Sequence, residues 1–247
     1  MGKFWDKILR IRDKRRPFCT MIVAAAGRSE RMNGEDKLMM DLGGVPVLMR
    51  TLCALDQATL VDEIIVAARE DLMLQVADIC SRSALRKPVR VVKGGDSRVQ
   101  SVLAAATEAD PRAELLAVHD GARPLIRPEM VDELIRQGGS TYAVAPAVPV
   151  TDTIKETDGH NRVTGTPDRN KLSAVQTPQV FQASILKAAL TSAMEAGAEI
   201  TDDCSAVERL GKEVYLTPGD PENIKITTPL DMTIAAAILA QRGRNPQ

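Results

Sequence analysis

The stretch that decides the fold is Thr20–Lys37, TMIVAAAGRSERMNGEDK. Its apolar run continues to Ala26, ends at Gly27 and gives way to a small, polar segment that carries Arg28 and Arg31 and closes on a lysine. The apolar run predicts a buried strand. Cations placed directly after such a strand indicate that an anion binds at its end.

Downstream of this strand, short β-branched runs alternate with helical patterns. The predicted strands EIIVAA, VRVV and ELLAVHD are separated by predicted helices through VPVLMRTLCALDQA, residues 70–83 and RVQSVLAAATEA. Such alternation is typical of parallel strands joined by crossover helices, so the predicted fold class is α/β with a doubly wound, mostly parallel sheet. Ligands bind at the carboxyl ends of the strands in these sheets. The segments to search for chemistry are therefore 27–37, 94–101 and 120–123.

Composition favours one domain that binds small molecules. The 247 residues are 44% hydrophobic, enough to bury a full core, and the net charge of -1 gives no reason to expect nucleic acid. No apolar stretch reaches the roughly 18 residues of a membrane span. The four cysteines are scattered and lack metal-ligand spacing, which predicts reduced thiols and a cytoplasmic location.

Two segments depart from this pattern. Residues 1–17 form a basic extension whose apolar residues could lie on one helical stripe, either a surface-docking helix or, as we favour, a locally packed appendage. Residues 18–247 then form the single domain. Within it, the polar segment 149–177 predicts a β-hairpin around Asp158-Gly159, either a projecting arm that meets a second subunit or a cover for the sheet edge.

The first candidate segment does not match the common nucleotide motifs. Neither G-x-G-x-x-G nor G-x-x-x-x-G-K-[ST] follows the predicted strand. What remains is a small-residue turn at AAAG, whose N–H groups can approach a phosphate, followed by cations that can neutralise a polyphosphate. This combination suits a nucleoside triphosphate, although surface cations in a loop would look the same.

The other segments add polar groups at further strand ends. In GGDSRVQS, two glycines permit close approach to a planar group, but the same letters also describe an ordinary capped helix start. In AVHDGARP, Asp120 is a natural ligand of magnesium and Arg123 can bind a phosphate or pair with Asp120. His119 is interpreted as structural. Near the C-terminal end, Lys225 is expected to project alone from a short extended segment.

Together these segments resemble a known family. VAAAGRSERM, GGVPVLMRTL, GGDSRVQSV, VHDGARP, PVTDTIK, TPDRNKL, QTPQVF, ITDDCSAVE and NIKITTPLDM are similar, in order and spacing, to the 2-C-methyl-D-erythritol 4-phosphate cytidylyltransferases. The resemblance covers about residues 20–240. It implies a Rossmann-like nucleotidyltransferase fold, transfer of CMP from CTP to the polyol phosphate with release of pyrophosphate, magnesium as cofactor, and a homodimer formed through the arm.

The resemblance also implies a role for each matching residue. The catalytic cations are Arg31, Lys37 and Lys225. The cytidine-binding positions are Ala25, Ala26, Gly27, Gly95, Asp96 and Ser101. The acceptor-binding residues are Asp120, Arg123, Thr153, Arg169 and Thr201, with Asp120 also the metal ligand and with Thr153 and Arg169 reaching the neighbouring subunit's site.

Three alternatives remain open. A cytidylyltransferase for another polyol phosphate, such as ribitol 5-phosphate, shares most of these motifs. A redox protein with a dinucleotide fold is disfavoured by the missing G-x-G-x-x-G. A catalytically idle relative is disfavoured because an idle site has no physical need for clustered like charges.

Overall fold

The structure, a computed structural model, describes residues 16–27 and 36–244. In these ranges the helices are α1 Val47–Gln57, α2 Met73–Arg82, α3 Arg98–Thr107, α4 Pro128–Gly138, α5 Ala183–Glu195, α6 Asp203–Arg209 and α7 Pro229–Arg244. The strands are β1 Phe18–Ala25, β2 Glu63–Ala68, β3 Val89–Lys93, β4 Ala113–Asp120, β5 Ala143–Pro149, β6 Glu156–Thr157, β7 Val163–Gly165, β8 Ser173–Val175, β9 Gln179–Gln182 and β10 Tyr215–Pro218. Short 3₁₀ turns lie at Glu70–Leu72 and Arg169–Lys171.

β1 is the centre of the sheet. It pairs in parallel with β2 on one side and with β4 on the other, and the full order is β10-β5-β9-β4-β1-β2-β3. The winding of the chain reverses between β1 and β4, which is the topological switch point where ligands bind in open α/β sheets. The predicted doubly wound, mostly parallel α/β fold is confirmed.

One strand breaks the parallel pattern. β9 lies antiparallel between β4 and β5, and the sequence analysis leaves α4 and β5 unassigned. Because β9 runs against its neighbours, its first residues lie at the edge where β1 and β4 end. The residues just before β9 therefore reach the same edge as the carboxyl ends of the parallel strands.

The alternating side chains of β1 supply both faces of the core. Met21, Val23 and Ala25 pack on the side of α1, α2 and α4. Ile22 points to the opposite side, where α3, α5 and α6 cover the sheet. A third, smaller cluster joins α7 to the body of the domain through Ile226, which is fully buried.

The predicted hairpin is present. β6 and β7 form a two-stranded antiparallel sheet of their own, separate from the main sheet, with the Asp158-Gly159 turn between them. The end of the segment returns as β8, which pairs with β5. The projecting β-hairpin expected from the sequence is thus confirmed, whereas its role in dimerisation stays a prediction.

The start of the domain is tied to the β1–β2 connection. Arg16 Nη2 lies 2.6 Å from Asp62 Oδ1, and the same carboxylate accepts a hydrogen bond from the Cys19 N–H.

The docking-helix interpretation of the extension falls on residues 1–15, outside the described residues. Across the ranges that are described, no helix has the length and apolar character needed to cross a bilayer. The four cysteines are free thiols.

Candidate functional site: a cavity at the switch point

A cavity of about 740 Å³ opens at the carboxyl ends of β1, β2, β3 and β4. This volume is in the usual range for small-molecule sites. Of the predicted site residues, the cavity brings together Ala25, Ala26, Gly27, Lys37, Gly95, Asp96, Ser101, Asp120 and Lys225. Segments up to 200 residues apart in the chain therefore meet around one space.

The Gly94–Asp96 turn forms one wall. A Cβ on Gly94 would lie 2.5 Å from the Cβ of Ala26, so only glycine lets this turn approach the end of β1. Ser101 Oγ accepts a hydrogen bond from the Gly95 N–H at 3.1 Å and fixes the turn against α3. This wall, named the slot below, is backbone held close to the end of β1, and it suits a planar ring.

The start of α3 holds the same turn from its other side. Ser97 is the N-cap, and its hydroxyl accepts from the Gln100 N–H while the Gln100 side chain accepts from the Ser97 N–H. Gln100 Oε1 also accepts from the Asp96 N–H at 2.8 Å. The capped helix start expected from GGDSRVQS is thus present, as a full capping box, and it shapes the cavity wall.

Lys37 enters the cavity from a tight turn. The Asp36 carboxylate accepts a hydrogen bond from the Leu38 N–H at 2.9 Å, and Leu38 is buried in the core. Lys37 is therefore held between two fixed neighbours and lines the cavity. The other predicted loop cation, Arg31, lies outside the described residues.

Asp120 forms the floor, surrounded by three cations. Its Oδ1 lies 2.9 Å from Arg98 Nη1, and its Oδ2 lies 3.0 Å from Lys225 Nζ and 3.3 Å from Arg123 Nε. Arg98 also pairs with the buried carboxylate of Asp203. Three cations against two carboxylates leave one net positive charge at the floor, which favours an anionic ligand.

The charges of the floor are stable near neutral pH. Burial alone would raise the pKa of the Asp120 carboxyl, but Arg98, Lys225 and Arg123 outweigh it and hold that pKa well below its usual range. Burial also acts against the charge of Arg98, yet Asp203 and Asp120 keep the pKa of the guanidinium raised. The Asp120–Arg98 pair therefore stays ionised.

Lys225 does not project alone, contrary to the sequence-based expectation. It pairs with Asp120 because the adjacent backbone is fixed: the Ile226 N–H donates to the Ala122 carbonyl at 2.8 Å, and the Ile226 side chain is fully buried. Arg123 Nη1 donates to the carbonyl of Asn223 at 2.7 Å and ties down the same loop. The expected Asp120–Arg123 pair is present.

His119 is structural, as the sequence analysis interprets it. Thr177 Oγ1 accepts a hydrogen bond from the Asp120 N–H at 3.0 Å, so its own hydrogen is free to donate to His119 Nδ1. Nε2 must then carry the ring proton, which it donates to the Arg123 carbonyl. Burial lowers the pKa of this histidine from 6.5 to about 4, so the ring is neutral at pH 7.

Four predicted residues of the described ranges do not line the cavity: Thr153, Arg169, Thr201, and Arg123, which pairs with Asp120. Thr153 and Arg169 are exposed on the 149–177 segment, where Arg169 Nη1 donates to the Thr151 carbonyl. Thr201 is exposed beside Asp202, the N-cap of α6. The placement of the first two on the arm is compatible with their predicted reach into a neighbouring subunit, which stays a prediction.

The sequence analysis missed three cations at the cavity: Arg69, Lys93 and Arg98. Arg69 follows β2 and pairs with Asp36 at 2.8 Å, while Lys93 ends β3 and pairs with Glu70 at 2.6 Å. The rule that found the other segments, polar residues at the ends of parallel strands, also applies to these two ends. Arg98 lies inside the searched segment 94–101, but the sequence does not show its partners Asp120 and Asp203, which are distant in the chain.

Comparisons with known proteins identify the family of this chain. The model of the family described as IspD, 2-C-methyl-D-erythritol 4-phosphate cytidylyltransferase, matches residues 19–241. A protein of that name from Caldanaerobacter subterraneus is 41% identical over 224 residues, which cover 88% of this chain and 97% of the relative. A second, from Frankia casuarinae, is 43% identical over 227 residues, covering 91% of this chain and 82% of the relative.

Solved structures give the same answer for the fold. The 4-diphosphocytidyl-2C-methyl-D-erythritol synthase of Anaerococcus prevotii superposes with a TM-score of 0.81 at 31% identity, covering 92% of this chain and all of the other. The 2-C-methyl-D-erythritol 4-phosphate cytidylyltransferase of Thermus thermophilus gives a TM-score of 0.73 at 28% identity, with coverages of 89% and 98%. A redox protein with a dinucleotide fold is thereby excluded. This chain belongs to the 2-C-methyl-D-erythritol 4-phosphate cytidylyltransferase family.

Proposed function

We propose that this protein transfers the cytidylyl group of CTP to the phosphate of 2-C-methyl-D-erythritol 4-phosphate and releases pyrophosphate. The observation that carries the proposal is the positively charged floor beside the slot at Gly94–Asp96, both at the switch point of the sheet. A slot for a base next to cations for phosphates matches the two parts of a nucleoside triphosphate.

The nucleotide occupies the side of the cavity made by β1 and α3. Cytosine enters the slot at Gly95 and Asp96, with Ser101 holding the turn behind it. The triphosphate lies across the end of β1, where the backbone of Ala25, Ala26 and Gly27 lines the cavity and where Lys37 supplies positive charge. Arg31 is proposed to add a second charge on the same side.

The acceptor occupies the other side, over Asp120. Lys225 and Arg123 are placed to attract its phosphate, and the exposed Thr201 loop lies beside α6. Thr153 and Arg169 are proposed to complete this pocket from a second subunit.

The chemistry is a direct displacement. An oxygen of the acceptor phosphate attacks the α-phosphorus of CTP in line, a new P–O bond forms, and the P–O bond to pyrophosphate breaks. No nucleophilic side chain is needed, so the enzyme contributes orientation and neutralisation of charge by Lys37, Lys225 and Arg31.

The described residues do not fit a resident magnesium site. Both oxygens of Asp120 already pair with cations, and no group of three or more acidic, histidine or cysteine side chains in the described ranges could hold a metal ion. Magnesium is therefore expected to be held mainly by the phosphates of CTP, where it would neutralise charge. The prediction of Asp120 as its ligand stays untested, and the contacts of Asp120 favour a role in organising cations.

A second subunit is proposed to dock on the arm. Ile154, Val163 and Val175 are 39%, 54% and 39% exposed on this segment, and association would cover these apolar side chains. Sedimentation of the purified protein tests this: a dimer that Val163→Asp converts to monomer supports it, and a wild-type monomer contradicts it. A cytoplasmic location also stays a prediction.

The decisive assay is pyrophosphate release with CTP and magnesium, run in parallel with methylerythritol phosphate, ribitol 5-phosphate and no acceptor. Turnover with methylerythritol phosphate alone is expected. Preference for ribitol 5-phosphate would support cytidylyl transfer but refute methylerythritol phosphate as the acceptor. If a folded protein releases no pyrophosphate with either acceptor, the proposed activity is refuted.

A further inference from the structure

Among the described cations of the floor, Arg98 is the one that pairs with two carboxylates. From the first position of α3, its Nη1 reaches Asp120 Oδ1 at 2.9 Å, while its Nε and Nη2 lie 3.1 and 2.7 Å from Asp203 Oδ2. Its side chain is 22% exposed and belongs to the wall of the cavity. One guanidinium thus joins two carboxylates whose positions in the chain differ by more than 80 residues.

Asp203 is a fixed anchor for this guanidinium. It lies fully buried in the first turn of α6, and its N–H donates to Gln179 Oε1 at 3.1 Å. Its Oδ1 has no hydrogen-bond partner among the described residues, and burial raises the pKa of its carboxyl. A carboxylate buried with so few partners is costly to retain for stability alone, because well-packed apolar residues often replace such pairs without loss.

Arg98 fixes which oxygen of Asp120 faces the other two cations. Arg98 takes Oδ1, and only Oδ2 faces Lys225 and Arg123. A carboxylate held at one oxygen cannot rotate without breaking that ion pair. The orientation of Asp120, and with it the location of the Lys225 ammonium, therefore depends on Arg98.

We propose that Arg98, anchored by Asp203, is a positioning residue that orients Asp120 so that Asp120 holds Lys225 at the reacting phosphates. The inference rests on the proposed function for its kinetic consequences, but its geometric content does not. Arg98 acts through Asp120 and is not proposed to contact either substrate.

The kinetic test compares Arg98→Met with a matched control. Arg90→Met removes another arginine that pairs with a buried carboxylate, Glu63, away from the cavity. Misplacing a catalytic group by about 1 Å costs up to about a hundredfold, so Arg98→Met is expected to lower kcat by about tenfold to a hundredfold with KM for CTP changed less than about threefold. Arg90→Met should retain kcat. Loss of thermal stability with full kcat in Arg98→Met would overturn the proposal.

Two further variants separate positioning from charge and from direct contact. Arg98→Lys keeps the charge, but one ammonium cannot span both carboxylates in the same way, so kcat should stay low; full rescue would overturn the proposal. In an Asp120→Asn background, adding Arg98→Met should change kcat less than about threefold, because the two residues act in series. Independent, multiplying effects would refute action through Asp120.

A crystal structure of the Arg98→Met protein without substrates tests the geometry even if the proposed activity fails. The separation of Lys225 Nζ and Asp120 Oδ2 is expected to increase from 3.0 Å to beyond ion-pair distance. An unchanged separation would overturn the inference. If Arg98→Met does not fold, Arg98→Gln, which keeps an amide donor, is used in both experiments with the same expected and contrary results. Wild-type turnover, measured separately, decides the proposed function.

Discussion

The buried histidine of the site should make this protein lose stability in mildly acidic solution. His119 is fully buried, and burial lowers its pKa from 6.5 to about 4. Both ring nitrogens are engaged, Nδ1 by the Thr177 hydroxyl and Nε2 by the Arg123 carbonyl. A proton added at Nδ1 makes that nitrogen a donor, so the hydrogen bond with Thr177 must reverse and the Thr177 hydroxyl hydrogen loses its acceptor.

The sign and the size follow from proton linkage. The unfolded chain binds a proton at this histidine near pH 6.5 and the folded protein only near pH 4, so between these values the unfolded chain carries more protons. The free energy of unfolding therefore falls as the pH falls below about 6.5. At about 1.4 kcal/mol per pH unit, the loss from this one group between pH 7.5 and pH 5 amounts to roughly 2 kcal/mol.

Urea unfolding at pH 7.5 and pH 5 measures this loss. His119→Asn keeps an acceptor for the Thr177 hydroxyl but removes the titrating ring, so its stability should change by about 2 kcal/mol less than that of the wild type over this interval. His160→Asn, at an exposed position, is the matched control and should behave as the wild type. The reasoning is refuted if His119→Asn and the wild type lose the same free energy.

Three further substitutions test the site. Lys37→Ala should lower the rate of pyrophosphate release more than about a hundredfold, since it removes a charge at the reacting phosphates, and a full-rate enzyme would exclude that role. Arg169→Ala should chiefly raise KM for the acceptor in steady-state assays whereas Arg162→Ala on the same arm should not; equal KM values would contradict the shared site. Gly94→Ala places a Cβ 2.5 Å from the Ala26 Cβ at the end of β1, which costs about 1–3 kcal/mol of overpacking. We therefore expect calorimetric titration to show CTP affinity lowered about tenfold. The control Gly159→Ala, whose new Cβ meets no atom within 4 Å, should keep the affinity of the wild type. Unchanged CTP affinity would show that the turn moves to accommodate the added methyl group, and it would contradict the prediction.

Local sequence patterns suffice to predict the parallel strands β1 to β4. Hydrophobic periodicity predicts the alternation of β1 to β4 with their helices, and the Asp158-Gly159 turn predicts the hairpin. β9 was not predictable in this way, because four residues carry no information about which strands they lie between. Its antiparallel insertion decides that Thr177 reaches the site.

The same distinction applies to the cavity. Lys37 and Asp120 were found because they follow predicted strands, and strand ends meet at one edge of a sheet. Arg98 was read only as part of a helix start, since its anchor Asp203 lies 105 residues away. Lys225 was expected to stand alone because the sequence does not show what holds its loop. Its neighbour Ile226 packs in a cluster with Leu42 and Leu125, which are distant in the chain.

The way Lys225 is held determines when the site can form during synthesis of the chain. The slot and Arg98, Asp120 and Arg123 of the floor are encoded before residue 124, but the loop that brings Lys225 to Asp120 is held by Ile226 against α7, Pro229–Arg244. A chain still being translated at residue 220 thus has a nearly complete sheet and no means of placing its last cation. We expect CTP to meet a competent catalyst only after α7 has left the ribosome and packed, so that turnover reports a finished molecule rather than a nascent one.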